Sequence, residues 1–260
     1  MMVQILADLL ACLISFYSLI IIKCSELTGK AKLARPGKRH PVDLAIMQGA
    51  YQPHPWLREI INSLLQEKFQ TNKPISKDQY FTLHARVEPE MIRHVMCRNK
   101  KEVNLTKIFA MVEEAFPDPP ASFLLLLINR ENMETEGDPN NPKMQSFHNE
   151  TNYIAVENLE RLNRAVDEGL WGGQVQVFEF GSYMLKGTRY SRRASITGGL
   201  INYYIALESK VFIGTEISTY STDLMTQRFY QSKKMNYKYL PSGIERWTDN
   251  STRIPETFRC

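Results

Sequence analysis

Apolar residues along the chain follow two periods, one typical of helices and one typical of buried strands. A helical spacing lies within residues 42–70, where Pro55 suits a helix start. A strand is predicted over 79–87, an amphipathic helix over 105–116 and a continuous apolar strand over 122–129. We expect the last strand to be buried on both faces, because its apolar residues do not alternate with polar ones.

The second half of the chain repeats this alternation after a polar loop at 130–152. Its predicted elements are a helix from about 155 to 168, a strand at 175–180, a helix from about 194 to 208, a strand at 210–214 and a helix from about 219 to 230. Gly169 is placed to end the first of these helices. Strands that alternate with helices predict an α/β fold, with a Rossmann-like parallel sheet covered by helices on both faces.

Ligands of such sheets bind outside the carboxyl ends of the strands. The segments that follow the predicted strands are 86–90, 129–130, 179–182 and 214–220, and we expect them to share one rim. The titratable side chains on or near this rim that could act as a general base are Glu88, His94, Glu179 and Glu216. The sequence does not choose among them, and Glu179 equally suits a salt bridge at the end of its strand.

His84 and Arg86 are the first candidate site residues. In a strand, residues two apart point to the same face, so an imidazole and a guanidinium would be presented together. Arginine can hold phosphate through two parallel hydrogen bonds, and the pair therefore favours a phosphate site. An edge strand with solvated charges is the alternative interpretation.

A second candidate lies between the strand at 210–214 and the helix that follows it. Gly214 is followed by the hydroxyl residues Ser218, Thr219 and Tyr220 at a predicted helix start. Backbone N–H groups and hydroxyls at the N-terminus of a helix favour a phosphate. Ser218 or Thr219 could equally serve only as the cap of that helix.

Charge and composition add little to this picture. The chain of 260 residues has a formal net charge of +4, and its basic residues are spread out, so we predict no nucleic-acid partner. Residues 1–24 form a hydrophobic segment in which 5–22 has the length of a membrane helix, with a buried helix or a wrongly chosen start site as the alternatives. We interpret 25–42 as a basic linker and 43–260 as the main domain.

The cysteines and glycosylation sequons bear on the cellular compartment. Three Asn-x-Ser/Thr sequons, at Asn104, Asn149 and Asn250, are compatible with passage through the secretory pathway. In an oxidising compartment the disulfide to test is Cys97 with Cys260, because the other two of the four cysteines lie in or beside the hydrophobic N-terminus. The cysteines are too few and too scattered to predict a metal site.

Three stretches resemble the protein O-fucosyltransferase family, especially its plant and algal branch. The stretch from Leu83 to Met91 resembles the family's His-x-Arg strand, with an acidic residue, here Glu90, four places after the arginine. The stretch Val211 to Ser221 resembles a Phe-Ile-Gly-x-x-x-Ser-Ser-Phe-Thr/Ser segment. The closing residues are similar to the C-terminal region of algal-type members, namely Asn236 to Pro241, then Trp247, and then Phe258 to Cys260. The resemblance covers roughly residues 35–260.

This resemblance implies the donor-binding half of a GT-B glycosyltransferase that transfers fucose from GDP-fucose with inversion and without a catalytic metal or another cofactor. Arg86 would hold the diphosphate as the catalytic residue, with His84 beside it. Glu90, Ser218, Thr219 and Tyr220 would line the GDP-fucose site. The acceptor would be a hydroxyl of a protein or glycan, and the protein would act in the Golgi or endoplasmic reticulum, with 5–22 as a membrane anchor.

The glycine- and asparagine-rich loop of the family's first domain is not found before Asp43. We therefore expect the N-terminal half of the family fold to be missing. Two alternatives remain open. One is a GT-B enzyme that uses a different nucleotide sugar, because an architecture does not fix the sugar. The other is a catalytically inactive, membrane-held relative that binds a glycan or a protein.

Overall fold

A computed structural model describes residues 55–71, 73, 75–88, 91, 103–130, 133, 149–180, 194–215, 217–232 and 234–248. All of these residues belong to one compact unit, Gln48–Cys260. The predictions for the segments 1–24 and 25–42, and for Glu90, His94, Cys97, Glu216, Asn250 and Cys260, lie outside the described residues. Among the described helices, none combines the length and the apolar character needed to cross a membrane.

Helices and strands alternate along most of the described chain. In order they are α1 (Pro55–Lys68), β1 (Tyr80–His84), α2 (Leu105–Ala115), β2 (Phe123–Leu127), α3 (Asn149–Glu168), β3 (Gln176–Phe180), α4 (Ala194–Glu208), β4 (Val211–Thr215), α5 (Thr219–Ser232), β5 (Met235–Leu240) and β6 (Gly243–Arg246).

The six strands form one sheet in the order β3-β2-β1-β4-β5-β6. The first five strands are parallel, and β6 runs antiparallel to β5 at the edge. The order 3-2-1-4-5 is that of a doubly wound α/β sheet, in which the chain builds outward from β1 in one direction and then in the other. The predicted α/β class and parallel sheet are confirmed, and the fold is compatible with a Rossmann-like domain.

Alternation along β2 shows why helices cover both faces of the sheet. Leu124 and Leu126 belong to a core cluster that includes residues of α2 and α3, whereas Leu125 and Leu127 belong to a second cluster with residues of α1, α4 and α5. Successive residues of a strand point to opposite faces, so a continuous apolar strand requires two cores. The expectation that this strand is buried on both faces is therefore confirmed.

Three features of the fold differ from the sequence predictions. Helix α3 begins at Asn149, about six residues before the predicted start, because its polar first turn carries no apolar periodicity. Strand β1 ends at His84, so Arg86 lies beyond the strand, and the prediction that this strand extends to residue 87 was wrong. Strands β5 and β6 were not predicted as strands.

One buried arginine joins α4, α5 and β5. Arg228 on α5 is fully buried, and its Nη1 donates to the carbonyl oxygens of Ala206, Leu207 and Ser209 at 2.6 to 3.1 Å. Its Nε donates to Asn236 Oδ1 on β5 at 2.7 Å. These carbonyl groups lie at the end of α4, where no helical N–H remains to bond them. Arg228 therefore closes this helix end inside the core.

Candidate functional site

The switch point of the sheet lies between β1 and β4. The chain leaves β1 towards β2 and β3 on one side, and it returns to β4 on the other side. In sheets of this topology the connections that follow the two strands at the switch point run in opposite directions, and ligands bind in the crevice that this leaves outside the carboxyl ends of the strands. His84 is the last residue of β1, and Thr215 is the last residue of β4. The predicted rim thus has β3, β2, β1 and β4 side by side, with their carboxyl ends at the same edge.

A short hydrogen bond connects the two sides of this crevice. His84 Nδ1 lies 2.7 Å from the hydroxyl oxygen of Ser221, which is in the first turn of α5. The His84 ring also packs against Tyr220, with ring centroids 4.7 Å apart. Ser221 is fully buried, whereas His84 is half-buried. The end of β1 is therefore fixed to the start of α5 by one polar and one aromatic contact.

Gly214 permits this close approach of α5 to the sheet. A Cβ atom at this position would lie 2.7 Å from Phe212 Cε1 and 2.8 Å from both Cβ and Oγ of Ser221. Carbon atoms in ordinary contact are about 3.5–4.0 Å apart, so a side chain here would push Ser221 away. The close packing of α5 against β4 therefore explains why glycine precedes Ser221 at position 214.

His84 is uncharged at neutral pH. Burial of the ring, with a further contribution from the positive charge of Arg86, lowers the pKa of His84 from 6.5 to about 3. Burial disfavours the charged imidazolium, and a neighbouring cation adds to this effect. Among the described residues, the crevice therefore presents the guanidinium of Arg86 beside a neutral imidazole.

Arg86 is held by contacts to its side chain and to its backbone. Its Nε lies 3.2 Å from Glu88 Oε2, and the Arg86 side chain is 26% exposed while that of Glu88 is 7% exposed. Its backbone N–H donates to the hydroxyl oxygen of Tyr239, a fully buried residue of β5, at 3.0 Å. Glu88 is thus the ion-pair partner of Arg86, which argues against the role of general base for this carboxylate.

A second ion pair occupies the rim beside β2 and β3. Arg130 Nε donates to Glu179 Oε2 at 2.8 Å, and Arg130 Nη2 donates to Asn163 Oδ1 at 2.7 Å. Glu179 is buried near the end of β3. Of the two roles considered for Glu179, the structure shows the salt bridge at the strand end.

The hydroxyl residues before α5 have different surroundings. Ser218 caps the helix, because its side-chain oxygen accepts from Ser221 N at 3.5 Å and its carbonyl oxygen accepts from Thr222 N at 3.0 Å. Thr219 is exposed. The buried hydroxyl of Tyr220 has no hydrogen-bond partner among the described residues. Burial of that hydroxyl raises its pKa.

Sequence reasoning missed Ser221 and Tyr239 as parts of this site. Ser221 stands at the end of the hydroxyl-rich stretch, but only the bond to His84 shows its role. Tyr239 belongs to a strand that the sequence pattern did not predict, so its contact with Arg86 had no visible signal.

The sequon residue Asn104 has a structural role. It is buried at the N-cap of α2, where its Oδ1 accepts from Lys107 N at 3.0 Å and its Nδ2 donates to Glu157 Oε2 at 3.2 Å. A glycan on Nδ2 would have to displace Glu157, so the fold argues against modification there after folding. Asn149 is the first residue of α3.

A cavity of about 500 Å³ lies at the opposite edge of the sheet from the crevice. It is lined in part by Glu113 of α2, by Arg161, Arg164 and Glu168 of α3, and by the turn at Gly172 that leads into β3. Its two arginines and two glutamates balance in charge. This cavity is remote from the switch point, and we assign it no role.

In the described part of the chain, these features define an α/β protein in which the switch point of the sheet brings together Arg86, a neutral His84 and the N-terminus of α5. In the part of the chain that the structure describes, no group of three or more His, Cys, Asp or Glu side chains could hold a metal ion. Comparison with protein-family models, with curated proteins and with solved structures finds no match to this chain.

Proposed function

We propose that this protein is a glycosyltransferase that transfers fucose from GDP-fucose to a hydroxyl of a protein or glycan, with inversion and without a catalytic metal. The observation that supports the proposal is the bond between His84 and Ser221 at the switch point. It brings the segment after β1, with Arg86, next to the N-terminus of α5. These are two of the three stretches that carry the resemblance to O-fucosyltransferases, and they lie more than 100 residues apart in the sequence.

The proposed chemistry requires stabilisation of a leaving diphosphate. The bond between the anomeric carbon and the phosphate oxygen breaks, GDP leaves with the electron pair, and the acceptor oxygen bonds to the opposite face of the sugar and loses its proton to solvent or a base. Negative charge develops on the diphosphate, where Arg86 and the N–H groups at the start of α5 can stabilise it. No described carboxylate is assigned as the base, because Glu88 and Glu179 are in ion pairs.

Nucleotide binding tests the proposal directly. Calorimetry with GDP, GDP-fucose, UDP and ADP should show binding of the guanine nucleotides only. Arg86→Ala should weaken GDP binding and, by analogy with loss of a donor to a developing oxyanion, slow transfer by a factor on the order of 10² to 10³. The matched control is Arg164→Ala, which removes the same charge from the opposite edge of the sheet.

Each other outcome of these binding and transfer experiments would contradict a part of the proposal. Selective binding of UDP or ADP would favour a transferase for a different nucleotide sugar. No nucleotide binding would favour a non-catalytic module that binds a glycan or a protein. Near wild-type turnover in Arg86→Ala would contradict the role of Arg86. In the proposed setting the protein acts in the Golgi or endoplasmic reticulum, which immunolocalisation of the full chain with compartment markers can test.

A further inference from the structure

The bond between His84 and Ser221 can be made in two ways that have different chemical consequences. Either the serine hydroxyl donates to Nδ1, which leaves the ring proton on Nε2, or Nδ1–H donates to the serine oxygen, which leaves Nε2 as a bare acceptor. The 2.7 Å separation fits both arrangements. The choice depends on which polar atoms would be left without a partner.

Ser221 has no second acceptor for its hydroxyl proton. Its side chain is fully buried, and the described residues offer Oγ no hydrogen-bond partner other than His84 Nδ1. If Nδ1–H were the donor, the hydroxyl proton would be buried without a partner, which is unfavourable. If the hydroxyl donates, both atoms of the pair are satisfied. The count of donors and acceptors therefore favours donation by Ser221.

The surroundings hold both side chains in this arrangement. Gly214 leaves room for Ser221 directly against β4, and Ser218 caps the same turn of α5. The ring of Tyr220 packs against the imidazole at 4.7 Å. Burial and the charge of Arg86 hold the pKa of His84 well below its ordinary value, so the ring carries a single proton. A 180° flip of the imidazole would break the bond, because it would place a ring carbon instead of Nδ1 opposite the Ser221 hydroxyl.

We infer that Ser221 is a positioning residue that fixes His84 as the neutral tautomer with its proton on Nε2, so that His84 presents a hydrogen-bond donor to a phosphate oxygen of the bound nucleotide. Nε2 has no protein partner among the described residues, and His84 as a residue is half-buried. The hydrogen bond from His84 to a phosphate oxygen, which is the ligand half of this inference, rests on the proposed function. The assignment of the tautomer does not.

This assignment gives the two basic residues of the crevice different roles. Arg86 supplies charge to the diphosphate, and His84 supplies a neutral N–H whose position is fixed before the ligand arrives. An imidazole with its proton on Nε2 and its Nδ1 bonded to Ser221 has no available lone pair, so it does not act as a general base. Hydrogen bonds to charged acceptors are roughly twice as strong as neutral ones, which suits a neutral donor facing a phosphate.

The tautomer is measured in the ligand-free full chain by long-range ¹H–¹⁵N correlation spectra of the imidazole groups. The chain has five histidines, and the signals missing from His84→Gln identify His84. We expect the pattern of the Nε2–H tautomer in the wild type and a shift towards Nδ1–H in Ser221→Ala. Thr226→Ala is the matched control, because it removes a hydroxyl one turn further along α5 that bonds to Thr222 O at 2.7 Å.

Two spectra would overturn the inference, namely an Nδ1–H or doubly protonated His84 in the wild type, or an unchanged Nε2–H pattern in Ser221→Ala. If Ser221→Ala does not fold, the wild-type spectrum alone tests which tautomer His84 adopts. The result is independent of nucleotide binding, so the correct tautomer without GDP binding would contradict only the proposed function.

The ligand half is tested by GDP titration of two His84 variants. Glutamine can place an amide N–H near the position of Nε2–H, whereas phenylalanine keeps a ring without a donor. We expect His84→Phe to weaken GDP binding about 10-fold or more and His84→Gln to retain most of the affinity. Equal GDP affinity in wild type and His84→Phe would refute the donor role even if GDP binds well.

Discussion

Replacement of Gly214 by alanine tests the packing that positions Ser221. The backbone of Gly214 does not have a positive φ, so alanine is not strained by its conformation, and the effect comes from the added methyl group alone. That group would lie 2.7 Å from Phe212 Cε1 and 2.8 Å from Ser221 Cβ. Phe212 and Ser221 are both fully buried, so neither can move into open space.

The expected loss of stability follows from two opposing effects. Overpacking of a filled core costs about 1–3 kcal/mol. Reduced freedom of the unfolded chain returns about 0.4–1 kcal/mol when glycine becomes alanine. We therefore expect Gly214→Ala to lower the free energy of unfolding by about 1 kcal/mol, within a range of about 0–2.5 kcal/mol. We also expect a weaker bond between Ser221 and His84, because the shortest relief of the clash moves α5 away from β4.

Urea denaturation of the full chain measures the first effect, and the ¹⁵N signals of His84 measure the second. The matched control is Gly199→Ala in α4, where an added Cβ meets no atom within 4 Å. It should leave stability unchanged or raise it by up to about 1 kcal/mol. If Gly214→Ala were as stable as the wild type and kept the His84 signals, the close approach of α5 to the sheet would not hold Ser221 in place, and our account of this glycine would be wrong.

Three further predictions concern stability and modification. Arg228→Met should lower the free energy of unfolding by about 3 kcal/mol or more, since it removes the buried hydrogen bonds of the guanidinium to three carbonyl oxygens at the end of α4 and to Asn236 Oδ1. The exposed change Arg164→Met should stay within about 0.5 kcal/mol in the same urea titration. Between pH 6.5 and 3 the unfolded chain binds a proton at His84 that the folded chain does not. The free energy of unfolding should therefore decrease as the pH is lowered, by up to about 1.4 kcal/mol per pH unit. This contribution to the pH dependence should be absent in His84→Gln. Asn104→Ala should lower the free energy of unfolding by about 1 kcal/mol, because α2 loses its N-cap. Mass spectrometry of the folded chain from a secreting eukaryotic host should show no glycan at Asn104. A fully occupied site would contradict the buried position of this residue.

The sequence predicted the parallel core of the sheet because β1, β2 and β4 carry apolar runs that only a doubly covered sheet can bury. It also predicted α4 with the observed bounds, and the end of α3 at Gly169, whose φ of +76° suits glycine. It missed β5 and β6, because polar residues interrupt their apolar pattern and β6 lies at an edge. The end of β1 was placed too late, because Ala85 and Val87 are apolar and buried without belonging to the strand.

Local chemistry therefore determined which residues were candidates, whereas the tertiary structure decided what each of them does. The spacing of apolar residues along the chain predicts where strands and helices end, because this spacing depends only on neighbours in the sequence. It therefore identifies His84, Arg86 and Ser218 as polar residues at or near such ends. The partner of each residue depends on strand order, which brings together segments more than 100 residues apart. Only that order joins His84 to Ser221 and Arg86 to Tyr239, and only the contact at Gly214 explains why α5 can approach so closely.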